Sequence, residues 1–573
     1  MLPRNVKARA APLFADHRAI LPYSVLGLLV GLLSAAVVLG FEWFIDSLAK
    51  TWLSSAGAND FSGLLDWQRL ALPVGSALLL AGVYSLLRPD DRETGIVHVL
   101  SRMESHYGVL PLRNALLQFI AGGVALAGGQ SGGREGPGVH LGAAVGSGLT
   151  QWLNLPNSSQ RIMIACGTAG SIAAAFNTPL AGVVFAMEVI VAEYTVVGFT
   201  PVIIAAISAT TISHALDGGV TRLAVPIIAQ GSLLDLPLIL VLGLLAGTLA
   251  ASFTRLLKLS LRLSGLHVTW RFLAAGLTTG LVALLVPGVL GLGYESLNAA
   301  LLGELAPTLL AALVLAKLLT CAISIGMGLP VGVIGPGLLI GGCAGSLLGS
   351  AAAALFPGVG VEPGLYAVIG MGAVMAAMFN APLAALLAVV ELTGSAAVAF
   401  PAMLAVISAN LTMQAGWRSR SVHQTVLAHL QRVIPDDPIS QLLHRSNVMS
   451  AMDRSISIMG HQLGTDTANI EDLPSWCLLK RDAEYLFLVR GADVFELIRQ
   501  RGDGAQLDLL EQDIRRWSFA TLSPRATLKE ALDAMRRQNT EAVLIVDKTV
   551  PGDDGIRGVL TRDIIDQFFL LRL

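Results

Sequence analysis

The amino-acid sequence predicts an all-α polytopic membrane protein that carries a smaller cytoplasmic α/β domain at its carboxyl end. The 573-residue chain is 54% hydrophobic and 14% charged, with a mean hydropathy of +0.67, which is too apolar for a soluble globular protein. More than half of the charged residues lie in the last quarter of the chain, at 431–573. The apolar part before them contains two similar halves. Together these observations separate a duplicated membrane body from a soluble tail.

Five apolar segments are long enough to cross a bilayer. The other apolar segments are shorter and are interrupted by Gly and Pro. The first long segment has no small-residue cleavage signature, so we interpret it as a retained helix and not as a signal peptide. The 60 glycines favour close packing between membrane helices. The long segments lie at about 21–40, 71–87, 236–254, 272–290 and 393–415.

Basic residues at the two ends of the apolar body predict its orientation. Arg4, Lys7 and Arg9 precede the first span, and Arg418 and Arg420 follow the last one. The positive-inside rule then places both termini in the cytoplasm and makes the number of crossings even.

The sequence motifs do not point to an enzyme. The apolar body has no HExxH motif and no His/Asp cluster, which disfavours a bound metal and a metal-dependent intramembrane hydrolase. The four cysteines have no CxxC spacing, so we expect core thiols and neither disulfides nor a zinc site. We expect no required cofactor and no nucleic-acid partner. These cysteines are Cys166, Cys321, Cys343 and Cys477.

An internal repeat relates the two halves of the apolar body. Aligning Gly167–Val189 with Gly370–Leu392 gives nine identities in 23 positions, including the string FN-x-PLA and a later glutamate, Glu188 or Glu391. Duplicated membrane segments are typical of transporters whose site lies between the two repeats. We therefore expect a site built from both halves.

Each half also has a Gly-rich turn before a small-residue helix, at Gly132–Gly138 and Gly332–Gly337. At membrane depth such a turn must be buried or line a watery cavity. Its free N–H groups and the helix dipole attract an anion, and amide dipoles hold it weakly enough to release it. Glu135 would compete for that pocket, so it can act as a gate and a proton acceptor. A salt bridge from Glu135 to Arg134, or a surface carboxylate at a helix N-terminus, is the alternative.

The motifs GREGP, GVIGP and FN-x-PLA resemble those of the CLC family of chloride channels and chloride/proton antiporters, over about residues 20–430. The second family motif is usually GxFxP, and Ile334 stands here in place of its Phe. The resemblance implies inverted repeats of tilted, broken helices and anion sites at helix N-termini. It also implies a homodimer in a lipid bilayer, with one chloride pathway per subunit and the bacterial inner membrane as its location.

The resemblance assigns roles to residues of the two Gly-rich turns. Glu135 matches the external gating glutamate, which accepts protons in the family. The backbone amides around Gly136 and those of Val333, Ile334 and Gly335 match anion ligands. Arg134 belongs to the same motif and is assigned to the anion site with them.

Two further matches depart from the family's pattern. The segment Glu93–Val97 aligns with the family's GSGIP motif, which places the Thr94 hydroxyl and Gly95 at the anion site; an ordinary loop threonine is the alternative. His423 aligns with the family's central tyrosine and can donate to an anion. A solvated histidine beside Arg420 is the alternative for that position.

The internal proton-transfer glutamate of the family's antiporters falls on Val189 here. Valine cannot carry a proton, so this position resembles the channel branch, although some family members exchange protons without that glutamate. The adjacent Glu188 recurs as Glu391 in the second repeat. This recurrence favours a structural carboxylate over a proton relay.

The tail resembles a pair of CBS domains, with a degenerate first copy at about 445–500 and a second at about 515–573. The second copy reads as a helix, two strands and a final helix. These elements are predicted at Ala526–Gln538, Ala542–Val546, Arg557–Leu560 and Arg562–Leu571.

Such pairs often bind adenine nucleotides, which here would contact Thr561 and Asp563. Their spacing is two positions where the family usually has three. A tail that stabilises a dimer or couples to the pore is the alternative.

The sequence analysis therefore divides the chain into a cytoplasmic segment at 1–20, a CLC-type transport domain at 21–420 and a CBS-type regulatory domain at 421–573. It predicts chloride transport gated by Glu135, and it favours a passive channel gated by voltage or pH. A chloride/proton antiporter and a transporter of nitrate or fluoride are the alternatives. A membrane-anchored nucleotide sensor would explain the tail and leave the duplicated turns unexplained.

Overall fold

The computed structural model describes residues 20–570 with several gaps. The described chain forms two compact units, one spanning most of Ile20–Ile434 and one formed mainly by Pro435–Leu573. The predicted amino-terminal segment at 1–20, with Arg4, Lys7 and Arg9, lies almost wholly outside the described residues. The gaps are 54–60, 62, 193–195, 218–222, 226–234, 358–360, 433–442, 444–445, 465–472, 483 and 502–505.

The larger unit is helical, which confirms the predicted fold class. Its first repeat contains helices α3 to α8, and its second repeat contains α11 to α16. The helices are α1 (Ile20–Ala49), α2 (Asp66–Leu86), α3 (Gly95–Ser105), α4 (Leu112–Ala127), α5 (Glu135–Leu153), α6 (Asn157–Phe176), α7 (Pro179–Phe185), α8 (Val196–Asp217), α9 (Leu236–Leu261), α10 (Val268–Leu285), α11 (Tyr294–Leu301), α12 (Pro307–Gly326), α13 (Ile334–Leu355), α14 (Pro363–Phe379), α15 (Pro382–Thr393), α16 (Ala399–Leu411) and α17 (Val422–His429).

Eight helical segments of the described chain are long and apolar enough to cross a membrane. Five of them overlap the spans predicted from the sequence. The other three, at Gly198–Leu216, Pro307–Gly326 and Ile334–Leu355, are longer than the sequence analysis expected. In the last of these, glycines lie inside the helix and allow close contact with α14, so they do not break it.

The FN-x-PLA repeat has the same backbone in both halves. Asn177 and Asn380 adopt left-handed conformations, with φ of 58° and 56°. Asn tolerates this conformation better than most residues, and each Asn ends a helix shortly before a proline begins the next one. The repeated motif therefore encodes a sharp break between α6 and α7 and between α14 and α15.

The two Gly-rich turns meet in the centre of the larger unit. Gly133 and Gly332 exchange two backbone hydrogen bonds, of 2.8 and 2.7 Å, as an antiparallel bridge. A side chain is excluded at this crossing, because a Cβ at Gly136 would lie 2.7 Å from the Gly332 Cα atom. The bridge brings the amino ends of α5 and α13 together, as the internal repeat predicted.

The smaller unit contains two copies of one strand and helix pattern. In the first, β1 pairs in parallel with β3, β3 pairs antiparallel with β4, and α18 follows; in the second, β6, β7, β8 and α20 repeat these pairings. The first three-stranded sheet contains β1 (Ile456–Gly460), β3 (Trp476–Arg481) and β4 (Glu484–Arg490), followed by α18 (Gly491–Arg501). Two short strands, β2 (Gln462–Gly464) and β5 (Gln506–Asp508), pair with each other.

The second copy confirms the elements predicted for the end of the chain. It contains β6 (Phe519–Leu522), α19 (Leu528–Gln538), β7 (Ala542–Val546), β8 (Ile556–Thr561) and α20 (Arg562–Leu570). Helix α19 begins with a capping box, since Thr527 and Glu530 each accept a hydrogen bond from the other's backbone N–H.

Candidate functional site

A cavity of about 250 Å³ lies inside the larger unit, against the paired Gly-rich turns. Both repeats and α17 contribute to its wall. It therefore brings together five of the residues that the sequence analysis placed at the anion site, which are Thr94, Gly95, Gly136, Val333 and His423.

Glu135 is the first residue of α5, and its carboxylate lies at the amino end of α13. Its carboxylate accepts a hydrogen bond of 3.1 Å from the Gly335 N–H, which belongs to the Gly-rich turn of the other repeat. The carboxylate also accepts a hydrogen bond from the Tyr294 hydroxyl. All three residues are buried. The gating candidate thus sits on an amide that was itself assigned to anion binding, as expected for a group that competes with an anion.

Arg134 binds a different carboxylate from the one the sequence analysis considered. Its Nε atom lies 3.3 Å from the Glu42 Oε1 atom and 4.0 Å from the Glu135 Oε1 atom. Its guanidinium also stacks on the Tyr294 ring, 5.1 Å from the ring centroid. Arg134 therefore pairs mainly with Glu42, and the Arg134–Glu135 salt bridge is the longer of the two contacts.

A buried lysine fixes the loop that carries Tyr294. Lys317 Nζ donates hydrogen bonds of 3.1 and 2.8 Å to the carbonyls of Val289 and Gly291. Gly293 then turns the chain with a φ of 78° and allows α11 to begin at Tyr294. The Tyr294 hydroxyl is thereby held in a defined place beside the Glu135 carboxylate.

The threonine and the glycine matched to the GSGIP motif differ in whether the local backbone and side chains already use their hydrogen-bond donors. Thr94 precedes α3 and lines the cavity, and its hydroxyl makes no capping bond to that helix. The Gly95 N–H instead donates a 2.7 Å hydrogen bond to Gln118 Oε1. Gln118 also donates to the Pro330 carbonyl at 2.9 Å, so it links the two repeats. The predicted Gly95 amide is consequently occupied by protein.

His423 lies at the cavity wall and is 5% exposed, which excludes a solvated histidine beside Arg420. Its ring packs against Phe379, with 5.2 Å between the ring centroids. Within the described part of the chain its Nδ1 atom has no hydrogen-bond partner. His423 therefore has a free ring nitrogen in the same cavity as Thr94.

Val189 lies in a π-helical segment, Ala186–Val191, that extends α7. The adjacent Glu188 accepts hydrogen bonds of 3.2 and 2.8 Å from the Leu383 and Ala384 amides, at the amino end of α15. Glu391 accepts the equivalent bonds from the amino end of α7. This exchange supports the structural role expected for both glutamates.

Two buried histidines in contact with each other, one of them at the cavity wall, were not identified from the sequence. His98 Nδ1 and His140 Nε2 lie 3.0 Å apart, on α3 and α5. His98 lines the cavity, and its Nε2 atom is 4.0 Å from the Glu93 carboxylate. Their spacing of 42 residues matches no short motif. The available signal was the presence of a polar side chain within an apolar helix, which suggests a functional residue. Glu42 of α1 carried the same signal.

In the smaller unit, Thr561 and Asp563 line one open cleft of about 890 Å³ together with Arg490. The Thr561 hydroxyl accepts a 3.4 Å hydrogen bond from the Ile564 N–H, and the residue is buried. Asp563 lies in the first turn of α20. The cleft thus combines a guanidinium and a helix start with three acidic residues, which are Asp453, Glu496 and Asp563.

These features define a polytopic membrane protein with two inverted helical repeats and a carboxylate on the amides at their meeting point. A family model described as voltage gated chloride channel matches residues 76–414. The chain therefore belongs to this family, the CLC family, whose motifs the sequence analysis recognised.

Two curated relatives cover most of the transport unit. The H(+)/Cl(-) exchange transporter ClcA of Vibrio vulnificus (strain YJ016) is 32% identical over 434 residues, which is 72% of this chain and 92% of that protein. ClcA of Vibrio parahaemolyticus is 30% identical over 447 residues, which is 75% of this chain and 91% of that protein.

Two solved structures share the fold. A slow cyanobacterial Cl-/H+ antiporter is 24% identical, with a TM-score of 0.63, over 71% of this chain and 97% of that chain. A eukaryotic CLC transporter is 19% identical, with a TM-score of 0.61, over 94% of this chain and 97% of that chain. At these identities the likeness concerns the fold alone.

Proposed function

We propose that this protein exchanges chloride for protons across a membrane, with Glu135 as both the gate and the proton carrier. The observation that carries the proposal is the hydrogen bond from the Gly335 N–H to the Glu135 carboxylate. A carboxylate and a chloride ion are both monovalent anions, so they compete for these donors. The names of the curated relatives favour an exchanger over the passive channel that Val189 suggested.

Competition for one site couples the two ions. While Glu135 is ionised and bound to the Gly335 amide, it closes the path from the cavity to the opposite side. Protonation removes its charge, which weakens its hold on the amide and frees the donor for chloride. When chloride leaves, the carboxylate releases its proton and returns to the amide. Each passage of an anion is thereby linked to a proton on Glu135.

The choice of anion follows from donors that do not carry a permanent charge. The Gly335 amide, the Thr94 hydroxyl and the His423 ring offer hydrogen bonds without a fixed cation in direct contact. Weak donors of this kind allow rapid release, which suits a transported ion. Chloride is the proposed substrate, and nitrate and fluoride are the competitors to measure against it.

Paired flux measurements on Glu135→Ala test this proposal. Purified protein in liposomes is assayed for chloride efflux and proton movement in the same vesicles, between pH 4.5 and 7.5. We expect wild-type chloride flux to rise in acid with proton movement in the opposite direction. In Glu135→Ala, we expect chloride flux to continue, to lose its pH dependence and to move no protons. Coupled proton movement in Glu135→Ala would contradict the assignment.

We also propose that the tail is a CBS-type pair that binds an adenine nucleotide and regulates transport. The repeated strand and helix pattern supports the pair, and the cleft that holds Thr561, Asp563 and Arg490 supports the binding site. Arg490 would attract the phosphates, and Asp563 would accept hydrogen bonds from the ribose hydroxyls.

Binding of ATP to the full-length protein, with Asp563→Ala as the variant, tests the regulatory proposal. We expect Asp563→Ala to weaken binding by about tenfold, the loss expected for one hydrogen bond to a charged group. Asp566→Ala, one turn away on α20 and outside the residues that line the cleft, is the matched control. Equal ATP affinity in wild type and Asp563→Ala would rule out this site.

The remaining assignments are proposals that rest on the resemblance, on the basic residues at the two ends of the apolar body and on the change in composition after Arg420. They place a homodimer in the bacterial inner membrane, with both termini in the cytoplasm. The sequence analysis set the boundary between the transport and regulatory domains near 420; because α17 lines the cavity of the larger unit, we propose that the boundary follows it, near 434.

A further inference from the structure

The buried pair His98–His140 has no assigned role in the anion pathway. His98 is 3% exposed and His140 is fully buried. Their facing nitrogens are 3.0 Å apart, so one ring donates a proton and the other accepts it. Histidine is the side chain whose unperturbed proton affinity best suits transfer near neutral pH. Two histidines in direct contact inside a membrane helix bundle are costly unless they serve a function.

The pair leads from the cavity toward the gate. His98 lines the cavity, where its Nε2 atom faces the Glu93 carboxylate at 4.0 Å. His140 lies on α5, five residues after Glu135, the first residue of that helix. The axial rise over five helical residues is about 7.5 Å. His140 therefore lies in the first turns of the helix that begins with Glu135, and its contact with His98 of α3 connects that helix to the cavity.

The outer nitrogen of the pair is available. Within the described residues, His140 Nδ1 is buried and makes no hydrogen bond. A buried, unpaired ring nitrogen is unfavourable in a static structure, because its desolvation is not compensated. The missing partner is explained if the His140 Nδ1 atom binds and releases a proton during function.

Charged groups surround the cavity end of the pair. Glu93 is the acidic group that faces His98, and the basic or titratable groups near it are Arg102, His106 and Arg432. Glu93 is also bound by Arg432, with distances of 2.6 and 2.8 Å. For His140 the neighbouring titratable group is His98. A proton thus has an acidic entry point at one end of the pair and the α5 helix of Glu135 at the other.

We propose that His98 and His140 relay protons between the cavity and Glu135, in place of the carboxylate that Val189 lacks. This inference rests on the proposed exchange function. In the step, a proton from the cavity binds His98 Nε2 as the Nδ1 proton of His98 passes to His140 Nε2. His140 then gives up its own Nδ1 proton toward the Glu135 carboxylate. One proton enters and one leaves, and each ring ends with its proton on the other nitrogen. Rotation of each side chain, which turns its protonated nitrogen toward Glu135 again, then prepares the pair for the next proton.

His140→Gln tests the relay, because Gln keeps a polar side chain and cannot accept a further proton near neutral pH. Chloride and proton movements are recorded together in liposomes, as a function of pH, for wild type and variant. We expect the ratio of proton to chloride movement to fall at least about tenfold, in line with the loss of one acid–base group. Chloride movement should persist, because His140 is not among the cavity-lining residues.

His106→Gln is the matched control. His106 follows α3 directly, is exposed and hydrogen-bonds with Ser105. We expect it to retain the wild-type coupling ratio. Coupling in His140→Gln at the wild-type ratio would overturn the relay. A wild-type protein that moves chloride and no protons would instead overturn the exchange function itself.

A second pair of variants keeps the relay testable if His140→Gln does not fold. His98→Gln removes the titratable group at the cavity end, whereas His98→Glu replaces it with another proton carrier. We expect His98→Glu to couple protons more strongly than His98→Gln at equal chloride flux. Equal coupling in these two variants would contradict a proton-carrying role for His98.

Discussion

At the residue scale, the central feature is the buried Glu135 carboxylate, which is bound by groups from distant parts of the sequence. The Glu135 carboxylate receives hydrogen bonds from Gly335 and Tyr294, which lie 200 and 159 residues away. The motif alone identified Glu135 and the amide. Tyr294 follows a Gly-rich loop without a known motif, so its contact depends on a chain crossing that local sequence does not encode.

Removing the Tyr294 hydroxyl should loosen the gate. A hydrogen bond to a charged group contributes about 1.5–3 kcal/mol, so Tyr294→Phe should weaken the hold on ionised Glu135 by roughly tenfold or more. We expect chloride efflux at pH 7.5 to rise toward the rate seen in acid, measured in liposomes.

The matched control for this variant is Tyr366→Phe. Tyr366 is another buried tyrosine whose hydroxyl donates to a carboxylate, that of Asp235, at 3.2 Å. This variant should leave the pH profile of chloride efflux unchanged. The same profile in Tyr294→Phe and wild type would show that the hydroxyl does not restrain Glu135.

At the element scale, the two repeats stabilise each other through an exchange of carboxylates. Glu188 of the first repeat caps α15, and Glu391 of the second caps α7. A carboxylate at a helix amino end accepts free amides and complements the helix dipole. The sequence predicted the pairing of the repeats, because both glutamates follow FN-x-PLA at the same spacing. It could not predict that each glutamate caps the other repeat.

Neutralising either cap should destabilise the protein to a similar extent. We expect Glu188→Gln and Glu391→Gln each to cost about 1–2 kcal/mol, since each loses its charged acceptor at a helix start. The measurement is the thermal unfolding temperature of the full-length protein in detergent. Glu304→Gln, at an exposed position between α11 and α12, is the control and should have little effect. A loss in one variant alone would contradict the reciprocal arrangement.

At the scale of the whole molecule, composition alone separated the membrane unit from the tail, because a bilayer and water select different side chains. The final helix, strand and turn of the tail were also predictable, since their periodicity and turn residues are local. The cavity, the histidine pair and the cleft were not predictable, since each combines residues from separate elements. Thr94 and His423 depart from the family motifs, yet both residues line the same cavity.

An exposed charge cluster joins the two halves of the tail and gives it a pH dependence. Lys480 and Tyr485 of the first half bind Asp553 of the second, at 2.8 and 2.6 Å. Both hold the pKa of Asp553 below its usual range, and Asp553 in turn raises the pKa of Tyr485 to about 12. Because the folded-state pKa of Asp553 is lowered, its stabilisation is present above the unfolded pKa and is lost as the pH falls through the folded value.

Hydrogen exchange tests this pH dependence on the full-length protein. We expect Asp553→Asn to speed amide exchange in β3 and β4 at pH 7 and to reduce the further effect of acid. Asp554→Asn, at the neighbouring position, is the control. Identical exchange in Asp553→Asn and wild type would show that the cluster does not hold the halves together.

The most direct test of the account is whether a chloride gradient drives protons uphill. Wild-type protein is placed in liposomes with equal pH on both sides, a chloride gradient and a clamped membrane potential, and the internal pH is recorded. The account predicts proton movement against the resulting pH gradient, in the direction opposite to chloride, and none in Glu135→Ala. Dissipation of the chloride gradient without proton movement in the wild type would contradict coupled exchange and identify a passive pathway.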